Sequence, residues 1–86
     1  MAKYKEYIDG LEVIHEIEKK IQTELDRALK AGMLDLELFD YFQDMINDTR
    51  DMLQQHIKSE YLLKKLSELE EWLRLKKEIF EKTGRL

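Results

Sequence analysis

An all-α fold, an antiparallel three-helix bundle, is what these 86 residues predict, and three observations carry the prediction. Proline is absent and glycine occurs only at positions 10, 32 and 84, so little interrupts a helix. Leu, Glu, Lys and Ile dominate, and the chain is 40% charged against 43% hydrophobic, a division suited to amphipathic helices. The apolar residues recur at three- and four-residue spacing, without the alternation of a half-buried strand. A chain of this length makes one small domain, 1–86, which buries only roughly 60–65% of the surface it exposes when unfolded.

The first helix is predicted over 2–31. Its stripe runs through apolar residues at 4, 7, 8, 11, 14, 17, 21, 25, 28 and 29, with charges on the opposite face. Glu16 with Lys20 and Asp26 with Lys30 are acid-before-base pairs at i,i+4, the favourable order on an exposed face. Gly32 suits the left-handed residue that closes a helix, and Lys30 complements the negative end of the dipole. The second helix is predicted over 35–58, started by Asp35 as N-cap with Leu34 reaching Phe39 as a hydrophobic staple.

From Leu36 to Thr83 there is neither Gly nor Pro, yet the apolar face changes phase. Leu38, Phe39, Phe42, Met45, Ile46, Thr49, Met52, Leu53, His56 and Ile57 share one face. Leu62, Leu66, Leu69, Leu73 and Phe80, flanked by Trp72 and Ile79, share another, turned by more than a quarter circle at about 100° per residue. A straight rod cannot bury both against the same partner. The break is expected at Lys58-Ser59-Glu60, where Ser59 is an acceptable N-cap, so the third helix is predicted over 60–83. The alternative keeps helices two and three joined, a helical hairpin with one long second helix forming a homodimeric bundle.

The formal net charge is -4 and the pI near 5.2, which speaks against affinity built on phosphate neutralisation, so no nucleic acid is expected. The chain has no cysteine, no apolar run that reaches the roughly 18–20 residues of a membrane span and no signal-peptide pattern, so no membrane and a cytoplasmic setting are expected. The acidity belongs to one helix. Asp35, Glu37, Asp40, Asp44, Asp48 and Asp51 stand against Arg50 and Lys58, so residues 35–58 alone carry the charge of the whole chain. The last five of these acids recur at three- and four-residue spacing, where like charges repel by a few tenths of a kcal/mol per pair. Such a strip is either a solvated face or a docking strip for a basic partner.

Other candidates are weaker. Glu12 and His15 have the E-x-x-H spacing of helical di-metal carboxylate proteins, but the core stripe through Leu11, Ile14 and Ile17 leaves Glu12 outside and His15 at the margin. His56 and Thr49 lie on an apolar face, where a core residue with one satisfied hydrogen bond is the ordinary explanation, Thr49 bonding its own preceding turn. Tyr4, Tyr7 and Tyr61 would join His56 at one end of the bundle and form an aromatic pocket. Phosphate loops, nucleophile elbows and zinc-protease motifs are missing, and no enzyme is expected.

Function is therefore expected to be that of a non-enzymatic protein–protein interaction module, an adaptor, inhibitor or assembly factor. Its contact surfaces would be the acidic face (Asp40, Asp44, Asp48, Asp51) and the apolar margins of helices two and three, including Trp72. The partner is a protein with a basic surface, and a homodimer is expected, with Lys64, Lys65, Lys76 and Lys77 opposing a neighbouring chain's acidic helix. No cofactor or metal is called for. The alternative is a metal- or small-ligand-binding helical bundle using Glu12 and His15 or His56.

Overall fold

The computed structural model describes the backbone of residues 2–56 and 59–84, and the side chains of 9–55 and 59–84. Three helices, α1 (Ala2–Ala31), α2 (Leu36–His56) and α3 (Glu60–Thr83), run up, down and up around one core. Their ends are set by local chemistry. Gly32 takes φ +68°, its N–H donates to the Leu29 carbonyl at 3.2 Å, and the Met33 N–H donates to the Ala28 carbonyl at 2.8 Å. This is the Schellman pattern, and its left-handed residue explains why glycine stands there. Asp35 Oδ1 then accepts from the Leu38 N–H at 3.0 Å, so Asp35 is the cap and α2 begins one residue later than expected.

The second joint falls at Ser59, and the two helices are not continuous. Ser59 is extended (φ -96°, ψ 118°), and its hydroxyl accepts from the Leu62 N–H at 3.3 Å, satisfying one free donor of the first turn of α3. The long-helix alternative is thereby overturned. α2 is described as far as His56, and residues 57 and 58, on which its expected end falls, lie outside the described residues. Gly84, at φ 72°, closes α3 through its N–H to the Phe80 carbonyl at 2.7 Å.

The core is built from Ile14, Ile21 and Leu25 of α1, Phe39, Phe42, Ile46 and Leu53 of α2, and Leu62, Leu66, Leu69 and Leu73 of α3. These belong to the predicted stripes, of which Tyr4, Tyr7, Ile8, His56 and Ile57 lie outside the described side chains. Leu11, Ile17, Leu38, Met45, Trp72 and Phe80 border the core half-buried, while Leu29, Met52 and Ile79 reach further into solvent. Thr49 is buried and its Oγ1 donates to the Met45 carbonyl at 2.9 Å, as its place on an apolar face required. α2 and α3 form the closest pair. The Phe39 and Phe80 rings stack tilted with centroids 5.8 Å apart, and the ion pairs Arg50–Glu70 and Asp40–Lys77 join the same two helices. Among the described residues no helix is long and apolar enough to cross a membrane.

Candidate functional site

With Phe42 and Ile46 at the centre of the buried side of α2, the turn of about 100° per residue sends Glu37, Asp40, Asp44, Asp48 and Asp51 to the opposite side. All five are exposed. Asp40 leans toward α3, where Lys77 Nζ lies 3.4 Å from Oδ1. Among the described residues Asp44, Asp48 and Asp51 have no ion-pair partner. The structure thus groups the predicted aspartates on one solvent-facing surface, with one of them partly neutralised by the chain's own lysine.

An open apolar trough of about 560 Å³ runs beside that surface where α1 ends and α2 begins. Met33, Leu38 and Tyr41 line it, with Glu24, Glu37 and Arg27 at the rim. Met33 is 75% exposed and Tyr41 49%, so two large side chains stand in water next to carboxylates. Tyr41 was not singled out by the sequence. Its position one turn after Leu38 and one before Met45 was the available signal, because all three lie on the flank of α2 toward α1.

Trp72 belongs elsewhere. It is half-buried in the groove between α1 and α3, beside Leu25 and Leu29, with Lys76 Nζ 5.7 Å from its ring centroid. The aspartates and Trp72 therefore occupy different faces of the bundle and do not make one surface. Of the lysines expected to meet a neighbouring chain, Lys77 turns to Asp40, Lys76 covers Trp72, and Lys65 lies 5.6 Å from the Tyr61 ring.

The best-connected polar group escaped the sequence reading. Glu70, half-buried at the α2–α3 seam, accepts from Arg50 Nη2 at 2.8 Å and from Gln43 Nε2 at 2.5 Å. Asn47 Oδ1 in turn accepts from Gln43 at 3.1 Å and from Arg50 at 3.2 Å. Burial would raise the Glu70 pKa, but the hydrogen bonds from Arg50 and Gln43, with the Arg50 charge, outweigh it and leave the carboxyl below its ordinary value. Residues 43, 47 and 50 follow helical spacing on one flank of α2, which only the placement of α3 turns into a clamp. On the outer side of α3, Arg74 binds both Glu71 and Glu78, and its hydrogen bonds lower the Glu71 pKa.

Glu12 and His15 are both exposed, and His15 lines the α1–α3 groove beside Glu18 and Lys65. Among the described residues no three His, Cys, Asp or Glu side chains are placed to share a metal ion. The pocket expected from His56, Tyr4 and Tyr7 involves side chains outside the described part, while Tyr61 is exposed. No family model, curated protein or solved structure matches this chain.

Proposed function

We propose that this chain is a non-enzymatic protein–protein interaction module whose acidic α2 face receives a basic surface on a protein partner. The observation that carries the reading is the row Asp44, Asp48 and Asp51, exposed at helical spacing with no ion-pair partner among the described residues. Like charges held one turn apart cost each helix of this kind a few tenths of a kcal/mol per pair, and a cationic partner would recover that cost. The trough at Met33 and Tyr41 supplies what a charged strip lacks, apolar area that can be desolvated on contact. Charge would steer the encounter, and burial at the trough would slow dissociation.

The test compares proteins retained by the immobilised wild-type chain with those retained by an Asp44→Asn/Asp48→Asn variant. A specific partner is expected to bind the wild type at low salt, to elute as ionic strength rises, and to be lost or several-fold weakened on the variant. Identical retention on both surfaces would overturn the proposal.

A further inference from the structure

A second apolar seam runs along α3, one position before the seam that fills the core. The core uses Leu62, Leu66, Leu69, Leu73 and Phe80. Shifted back by one, Tyr61, Lys65, Glu68, Trp72, Leu75, Ile79 and Lys82 follow alternating steps of four and three, the 3.5-residue repeat of helices that pack along their length. Its centre is apolar: Leu75 is 48% exposed and Ile79 44%, and Trp72 borders them, half-buried against α1 with its outer edge toward the seam.

The charges of the seam say what covers it. Lys65 already lies over Tyr61, and Arg74 already holds Glu71 and Glu78 beside the seam. Glu68 and Lys82 are exposed and, among the described residues, have no ion-pair partner. They stand seven residues before and seven after Leu75, on the same face and about 21 Å apart along the helix, so they cannot meet in one chain. A parallel copy of α3 would set Glu68 against Glu68 and Lys82 against Lys82. An antiparallel copy sets Glu68 against Lys82 at both ends, with Leu75 at the two-fold axis and Trp72 beside Ile79 of the partner subunit.

We propose that the seam is covered by a second copy of this chain, the two α3 helices lying antiparallel about a two-fold axis near Leu75. The pairing is isologous, so one surface is its own complement. With three large apolar side chains per subunit the interface is small, below about 1,200 Å² in total, and the dimer forms and dissociates with concentration. The inference does not depend on the acidic-face reading, because Asp44, Asp48 and Asp51 lie on another helix.

Sedimentation equilibrium of the full chain over a wide concentration range tests it, with circular dichroism to check that each variant stays helical. The wild type is expected to pass from monomer to dimer. Glu68→Lys alone and Lys82→Glu alone should each weaken the dimer at least about fivefold, since each replaces two attractive pairs with two repulsive ones. The double variant Glu68→Lys/Lys82→Glu restores opposite charges across the axis and should recover wild-type association. A wild type that stays monomeric, a double variant no better than the single ones, or a Leu75→Glu variant that dimerises like the wild type would each overturn the proposal.

Discussion

At Glu70 a carboxylate sits half-buried beside Leu69, where dehydration favours its neutral form, yet Arg50 and Gln43 hold it ionised. Its pKa in the folded chain lies below its unfolded value. The contribution is therefore present above that value and lost as pH falls through the lowered folded pKa. Glu70→Ala should cost about 1 kcal/mol at pH 7, read as a shift in the urea midpoint, and progressively less below about pH 4. An equal cost at pH 7 and pH 3 would assign the effect to lost packing alone. In the sequence Glu70 is one of many glutamates; what sets it apart is a contact across 20 residues of chain, beyond the reach of local spacing.

Among the elements, the joint between α2 and α3 shows how much local pattern conveys. Gly32 and Asp35 marked the first turn because a left-handed backbone and a free helix donor each demand particular residue types. At Ser59 no glycine helped; the change of apolar phase from the Phe42 face to the Leu66 face did, because two stripes at that angle need two separately oriented helices. Ser59→Ala should destabilise the chain by about 1 kcal/mol and Ser59→Gly by only a few tenths, measured by urea unfolding. A Ser59→Ala variant as stable as the wild type would mean that the hydroxyl bond to Leu62 contributes nothing. The aspartate face of α2 was equally legible, since charge and period are both sequence properties. Its separation from Trp72 was not, because which flank of α3 meets α1 depends on the handedness of the bundle rather than on any single helix.

For the molecule as a whole, the proportions follow from the helices. α1 alone, at 30 residues, is about 45 Å long, and the longest dimension of the bundle is 47 Å against 19 and 15 Å across. The Cα radius of gyration, 14.3 Å, exceeds the roughly 12 Å of a compact chain of this length. A rod diffuses more slowly than a sphere of equal mass, so the 10.5 kDa monomer should leave a gel-filtration column ahead of globular standards while light scattering still reports one chain. Elution volume alone would thus mimic a dimer. The same elongation makes the register of a pairing visible. Leu75 stands 15 residues from the start of α3 and eight from its end. Two chains joined antiparallel about it therefore overlap at one end and make a longer rod, whereas pairing in full register would thicken the rod without lengthening it. The frictional ratio is higher for the first.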